Sequence, residues 1–266
     1  HNLFLRSLQS HTTITMEANI AMAKPCCVGG IKKADGLKGK EDKAGDWAIY
    51  VSTPASPNGK AIVIVHDIFG WGIPNTRVVA DKYADEGYYA VVPDLYAGDY
   101  WPFDISKEEN ALSQPKFGEW FGKYSGGEGL EKVLTGVEAS IDFAAKTCPG
   151  AVALAGSCWG GMIVHISAGK FAAKLKAAAT FHPVGCDDTT PAKMPIPVAF
   201  IFGEIDDFVK ADMQAKMVEA CKDTKCMTHT FPGMVHGFAV RPYDEASQAA
   251  AEEAHKMGFE FLAKNM

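Results

Sequence analysis

The feature that most constrains this chain is a repeated alternation of short apolar runs with amphipathic stretches. The run from Ala61 to His66 is rich in β-branched residues and has no polar alternation, as expected of a strand buried on both faces of a parallel sheet. Similar strand-length runs lie at 88–92, 151–155, 177–181, 198–202 and 227–231, and stretches with helical spacing lie at 74–87, 127–146, 159–170, 211–221 and 242–264. Strands that alternate with helices predict an α/β fold, with a mostly parallel sheet and helices on both faces.

The length and the spacing of these elements favour one large domain. The chain has 266 residues, and we find no internal repeat and no linker, so we predict a single domain over residues 23–266. Residues 96–126 are aromatic and rich in Gly and Pro, and they predict an irregular excursion that covers a site. Residues 1–15 contain Arg6, several Ser and Thr and no acid, so residues 1–22 are expected to be a flexible tail, either a tag remnant or a targeting segment.

Composition excludes several classes of function. The net charge is −6 and no Lys/Arg cluster is present, which argues against a nucleic-acid partner. No apolar run approaches the roughly 20 residues that cross a bilayer, so no membrane association is expected. The seven cysteines are odd in number and irregular in spacing. They predict neither a disulfide framework nor a metal site, and they favour a reducing, cytoplasmic setting without a cofactor.

The segment Gly156-Ser157-Cys158-Trp159-Gly160 lies between a predicted strand and a predicted helix. A nucleophile elbow forces its central residue into a strained turn, and side chains two positions before and after it would collide. Glycines flank Cys158 at these two positions, whereas Ser157 would be flanked by Ala155 and Trp159. The spacing therefore selects Cys158 as the nucleophile, and the helix N-terminus favours its thiolate.

In such a fold the acid and then the histidine follow the nucleophile, each after a strand. Asp206 follows the run 198–202, and His236 follows the run 227–231. His236 would act as the base and Asp206 would orient it; Asp207 and Glu204 remain possible substitutes for the acid.

An oxyanion hole needs two backbone amides at the carboxyl edge of the sheet. Trp159, directly after the nucleophile, supplies one candidate, and Ile68, in the loop after the first buried strand, supplies the other. His66 and His182 end predicted strands at the same edge, so they are candidates for lining the pocket.

Taken together, these segments resemble the dienelactone hydrolase family. The matching pieces are Asp67–Gly70, Pro93–Tyr96, the Cys-centred elbow, Gly203-x-x-Asp206 and His236–Phe238, in family order from about residue 45 to the C-terminus. The resemblance is to eukaryotic members of the carboxymethylenebutenolidase type, including plant and algal ones. It implies an α/β-hydrolase fold and hydrolysis of dienelactone-like cyclic esters through a thioester.

Two departures from the bacterial pattern concern the binding of substrate. Bacterial members carry Glu where Asp67 stands, and that carboxylate switches the cysteine between thiol and thiolate; the resemblance therefore implies the same part for Asp67. Bacterial members bind the substrate carboxylate with arginines at the positions of Gly98 and Val240. Here Arg77 and Arg241 are the candidates for an anion contact, and Tyr96 is a further candidate for substrate binding.

Three classes of function stay open at this point. The first is a cysteine-dependent hydrolase acting on a small ester or lactone. The second is a binding protein that kept the fold and lost turnover. The third is a thiol redox protein, which would need a second cysteine near Cys158, and the sequence contains no C-x-x-C. A monomer and a dimer are both compatible with the sequence.

Overall fold

The computed structural model describes residues 36–101 and 115–266, so the tail predicted over 1–22 lies outside the described residues. Eight strands are described: β1 (Lys40–Ala44), β2 (Trp47–Ser52), β3 (Ala61–Val65), β4 (Tyr89–Pro93), β5 (Val152–Ser157), β6 (Ala178–Phe181), β7 (Val198–Ile205) and β8 (Met227–Val235). The α-helices are α1 (Asn75–Asp85), α2 (Pro115–Ser125), α3 (Gly127–Thr147), α4 (Trp159–Lys170), α5 (Ala211–Cys221) and α6 (Glu245–Asn265).

The strands form one sheet in the order β1-β2-β4-β3-β5-β6-β7-β8. The six strands from β4 to β8 along this order are parallel, whereas β1 pairs with β2 and β2 pairs with β4 antiparallel. The predicted α/β class with a mostly parallel sheet is therefore confirmed. The antiparallel hairpin at one edge was not predicted.

Both faces of the sheet are covered by helices, as predicted. Alternate residues of β3 point to opposite sides: Val63 packs with buried residues of α3 and α4, and Ile62 packs with buried residues of α1 and α6. The parallel strands are buried on both sides for this reason, and their sequences lack polar alternation. The apolar side chains that are buried on both faces of the sheet therefore fix the carboxyl ends of neighbouring strands relative to one another.

The prediction of an irregular segment over 96–126 is wrong for its last part. Residues 115–125 form α2, and residues 102–114 lie outside the described range. Phe117, Trp120 and Phe121 are buried at the i, i+3, i+4 spacing of a helix face. The glycines at 118 and 122 and the aromatic composition concealed this period in the sequence.

Two element boundaries differ from the predicted ones for identifiable reasons. Helix α6 begins at Glu245 rather than at Pro242, because Asp244 and Ser247 form a capping box: the Asp244 side chain accepts from the Ser247 amide at 2.7 Å. Strand β8 continues to Val235, which pairs with Ile205 beyond an irregularity in β7. The longer β8 delivers the residues after it to the carboxyl edge of the sheet.

Candidate active site

Cys158 occupies a strained turn between β5 and α4. Its φ and ψ are 55° and −121°, a region that residues other than glycine rarely adopt and that costs on the order of 1–3 kcal/mol. A Cβ atom on Gly156 would lie 2.5 Å from the Gly160 carbonyl oxygen, and one on Gly160 would lie 2.3 Å from the Val65 oxygen. The chain can make this turn only because both positions lack a side chain.

Neighbouring backbone holds the elbow in place. The Cys158 amide donates to the Phe181 oxygen at 3.1 Å, and the Cys158 carbonyl accepts from the amides of Gly161 at 3.0 Å and Val184 at 3.2 Å. The residue is 6% exposed, and it lies at the N-terminus of α4, where the helix dipole favours a thiolate. Hydrogen bonds to the end of β6 and to the residues after it therefore keep the Cys158 backbone in its strained conformation.

The loops after β7 and β8 bring a carboxylate and an imidazole together. The Nδ1–H of His236 donates to Oδ2 of Asp206 at 2.9 Å, and both side chains are buried. The other carboxylate oxygen, Oδ1, accepts from the amides of Phe208 at 2.8 Å and Val209 at 3.3 Å. Asp206 thus fixes the orientation of the imidazole and leaves its Nε2 atom for another group.

Cys158 is the group that completes this arrangement. Burial disfavours a charged His236, but its proximity to Asp206 and Cys158 outweighs this and holds the pKa of His236 well above its ordinary value. The Nε2 atom of His236 has no well-aligned partner among the described residues. Hydrogen bonds between a nucleophile and its base commonly form or tighten only when substrate binds. The structure thus brings Cys158, His236 and Asp206 together; their catalytic roles stay a prediction.

A second buried imidazole lies against His236. The rings of His182 and His236 are 4.8 Å apart, and Phe208 packs on His236 at 4.5 Å. His182 has a positive φ of 38°. Burial and the nearby charge of His236 lower the pKa of His182 well below its ordinary value, which favours the neutral form of this imidazole.

The two expected oxyanion donors also meet at this edge. Val65 of β3 pairs with Gly156 of β5 in the sheet. Ile68 lies three residues after Val65, and Trp159 lies three residues after Gly156, so both follow the same paired position. Within the described ranges, no hydrogen bond uses the amide of Ile68 or that of Trp159. Both donors are therefore unoccupied, as the predicted role requires.

Asp67, the expected thiol switch, is part of a buried ion pair with Arg241. Its Oδ2 atom accepts from Nη1 of Arg241, and its Oδ1 atom accepts from the Phe69 amide at 2.9 Å. Both residues are at most 3% exposed, and the guanidinium lies 4.2 Å from the centre of the Phe69 ring. The carboxylate is thus engaged by arginine in this structure.

The dienelactone hydrolase family model matches residues 47–266. The chain belongs to the dienelactone hydrolase family. It is 30% identical over 257 residues to the carboxymethylenebutenolidase homolog of Homo sapiens, which covers 94% of this chain and 100% of that protein. It is 35% identical over 160 residues to an endo-1,3;1,4-beta-D-glucanase of Zea mays, over 59% of this chain and 46% of that protein.

Solved structures agree with the family in fold. A putative dienelactone hydrolase from Klebsiella pneumoniae aligns with a TM-score of 0.64 at 20% identity, over 85% of this chain and 98% of that one. Est1E from Butyrivibrio proteoclasticus aligns with a TM-score of 0.58 at 18% identity, over 85% of this chain and 99% of that one. This dienelactone hydrolase family member therefore has the α/β-hydrolase fold, and it is a hydrolase by family.

The remaining candidates for substrate binding lie in different places. Tyr96 is beside the site: its ring is 5.0 Å from that of Trp159, and burial and the charges of Asp67 and Cys158 raise its pKa well above the ordinary value. Its hydroxyl has no hydrogen-bond partner in the described part of the chain. Arg77 instead lies 5.4 Å over the Trp71 ring and 3.9 Å from Glu41, and no described contact joins it to the triad.

Sequence reasoning missed one residue that shapes the site and predicted only part of the role of another. Gln214 of α5 donates to the Gly203 and Val209 oxygens, both at 2.8 Å, and accepts from Thr230 at 2.9 Å, so it links the loop that carries Asp206 to β8. A glutamine in an amphipathic helix gives no signal of such a role. His66 was expected only to line the pocket, but its ring nitrogens hydrogen-bond to the Asp67 carbonyl, next to Ile68, and to the Leu95 amide after β4.

Among residues 36–101 and 115–266, the structure contains no cluster of three or more His, Cys, Asp or Glu that could hold a metal. In the same ranges no helix is both long and apolar enough to span a bilayer. Cys148, Cys158, Cys186, Cys221 and Cys226 are free thiols.

Proposed function

We propose that this protein hydrolyses small carboxylic esters or lactones through a thioester on Cys158. The observation that carries the proposal is the strained elbow of Cys158 beside the His236–Asp206 pair, whose Nδ1–Oδ2 distance is 2.9 Å. The raised pKa of His236 favours an imidazolium next to a thiolate. Such an ion pair supplies a nucleophile and a proton donor at once.

In the first half of the reaction the Cys158 thiolate attacks the carbonyl carbon and forms a C–S bond. The carbonyl π electrons move to oxygen, and the amides of Ile68 and Trp159 donate to the resulting oxyanion. As the oxyanion collapses, the C–O bond to the leaving alkoxide breaks and His236 gives it a proton. With a lactone the leaving alcohol stays attached to the acyl group, so no fragment departs at this stage.

In the second half a water molecule attacks the thioester carbonyl. His236, now neutral, takes the proton from that water, and Asp206 stabilises the imidazolium that forms. The C–S bond breaks, the carboxylic acid is released, and the thiolate–imidazolium pair is restored.

The charges around the site favour substrates whose binding does not require an arginine to pair with a substrate carboxylate. Of the two candidate arginines, Arg77 contacts Glu41 and Trp71, and the charge of Arg241 is balanced by Asp67. A substrate carboxylate would have to compete with Asp67 for Arg241. If Asp67 acts on the thiol, as the family resemblance implies, such competition is one way to release the Asp67 carboxylate.

The free thiols of the protein also suit a reducing compartment such as the cytoplasm.

A glucanase function, suggested only by the name of the Zea mays relative, is less well supported. Glycoside hydrolysis needs two carboxylates on opposite sides of the scissile bond. Two carboxylates of this site, Asp206 and Asp67, are engaged by His236 and Arg241 respectively. The cysteine elbow would have no role in that reaction.

The test compares the wild type with Cys158→Ala on p-nitrophenyl acetate and on a dienelactone. We expect kcat/KM of the variant to fall at least about 1000-fold, because the nucleophile is lost, and we expect mass spectrometry to detect an acetyl group on wild-type Cys158 only. Cys148→Ala, which removes another buried thiol, is the matched control and should retain activity. Equal rates for the wild type and Cys158→Ala would refute the proposal.

A further inference from the structure

His66, the residue directly after β3, is fully buried, and both of its ring nitrogens are hydrogen-bonded. Its Nδ1–H donates to the Asp67 carbonyl at 2.7 Å, and its Nε2 accepts from the Leu95 amide at 3.2 Å. A carbonyl can only accept and an amide can only donate, so the ring carries its hydrogen on Nδ1 and is neutral. Burial lowers the pKa of His66, which keeps this neutral tautomer.

The bond to the Asp67 carbonyl determines where the next amide points. In a planar trans peptide the C=O and N–H directions are opposite, so an Asp67 oxygen held against His66 directs the Ile68 N–H away from it. The same oxygen accepts from the Gly70 amide at 3.1 Å, and the Phe69 amide donates to the Asp67 side chain at 2.9 Å. Of the amides at 68–70, only that of Ile68 has no acceptor among the described residues.

His66 also contacts the residue that carries the second donor. Its ring stacks on the Trp159 indole at 5.5 Å with an interplanar angle of 22°, and the indole Nε1–H donates to Ser125 at 3.1 Å. A Cβ on Gly160 would lie 2.4 Å from the His66 carbonyl oxygen. The backbone and the ring of His66 are thus packed against the first turn of α4.

We propose that His66 is a positioning residue of the oxyanion hole: by holding the Asp67–Ile68 peptide through its Nδ1–H, it aims the Ile68 amide at the reacting carbonyl oxygen. The inference rests on the proposed function of Cys158. His66 acts through the Asp67–Ile68 peptide and does not take part in proton transfer. Its hydrogen bonds therefore matter for stabilising the oxyanion, and they do not matter for the nucleophilicity of the thiolate.

Two nearly isosteric substitutions separate this role from packing. His66→Asn and His66→Leu both remove the ring from Trp159, but only Asn keeps a donor near the position of Nδ1. Each variant is assayed for kcat/KM on p-nitrophenyl acetate and for the rate at which iodoacetamide alkylates Cys158. Alkylation needs the thiolate and forms no oxyanion, so it serves as the readout that a positioning role should not change.

We expect His66→Leu to lower kcat/KM about 10- to 100-fold, somewhat less than the loss of a whole oxyanion donor. We expect alkylation to stay within about twofold of the wild type and His66→Asn to recover most of kcat/KM. If His66→Leu does not fold, as judged by its melting curve, His66→Ala replaces it in the comparison with His66→Asn.

An unchanged kcat/KM in His66→Leu would overturn the positioning role while leaving Cys158 as the nucleophile. Equal losses of kcat/KM and of the alkylation rate in this variant would do the same. Equal losses in His66→Asn and His66→Leu would also overturn it, because packing alone would then account for the effect. A wild type that does not form the thioester would instead refute the proposed function, and the inference with it.

Discussion

The Asp67–Arg241 pair joins two buried side chains of opposite charge. Both residues are almost fully buried, and the desolvation of two charges roughly offsets their attraction. The pair is therefore a weak source of stability as a whole, but either charge alone would be strongly unfavourable. This asymmetry can be measured, and it shows whether the carboxylate depends on the guanidinium.

We expect Arg241→Met to lower the free energy of unfolding by about 3–5 kcal/mol, because it leaves Asp67 buried without a counter-charge. Asp67→Asn should also be costly, because it removes the carboxylate that accepts from the buried guanidinium of Arg241. The double variant Asp67→Asn/Arg241→Met should recover most of the loss, since Asn can still accept from the Phe69 amide. Urea unfolding of the four proteins measures this, and purely additive losses would contradict the coupling.

At this scale the sequence predicted what local geometry dictates. The glycines at i−2 and i+2 select Cys158, and the order of Asp206 and His236 after successive strands follows from the sheet. The pairing of Asp67 with Arg241 spans 174 residues, and nothing in either local sequence indicates it. The role of His66 depends on the orientation of the Asp67–Ile68 peptide, and no pattern of residue types in the sequence reveals that orientation.

At the scale of elements, the elbow depends on a close approach between α4 and β3. We expect Gly160→Ala to be strongly destabilising, because its Cβ would lie 2.3 Å and 2.4 Å from two backbone oxygens that cannot move aside as a flexible side chain can. Gly169→Ala, in the same helix with nothing within 4 Å of its Cβ, is the control and should stabilise by a few tenths to about 1 kcal/mol. Thermal melts compare them; equal shifts would mean that the close approach does not constrain the turn.

The element predictions succeeded for the parallel strands and most helices, and failed for α2 and for the antiparallel β1–β2 hairpin. The buried strands and α4 follow from continuous apolar runs and helical spacing. Strand β1 has four exposed residues and one buried residue, so it carries no hydrophobic pattern, and its hydrogen bonds to β2 hold it at the edge. Boundaries such as the start of α6 depend on a capping interaction, which shifts the end of a helix by a few residues.

For the whole molecule, the buried histidines determine how stability depends on pH. Burial lowers the pKa of His165 to about 3 and that of His255 to about 4, and it lowers those of His66 and His182 as well. Below the unfolded value of about 6.5, the unfolded chain binds protons at these sites and the native state does not, so stability falls as pH falls.

The raised pKa of His236 acts in the opposite sense. Its contribution to the free energy of unfolding is present below about pH 6.5 and is lost as pH rises through the pKa of the folded state.

We therefore expect the free energy of unfolding to fall steeply between about pH 6.5 and pH 4.5, and His165→Leu to make that fall smaller. Each such histidine contributes about 1.4 kcal/mol per pH unit once the unfolded form is protonated, so the variant should lose about 2.5 kcal/mol less over this range. The control is Phe200→Leu, which alters the ring 5.1 Å from His165 and removes no titrating group, so its fall should match that of the wild type. Urea unfolding at both pH values gives the comparison. A wild-type dependence retained in His165→Leu would mean that His165 is protonated in the native state, and burial would then not govern its titration.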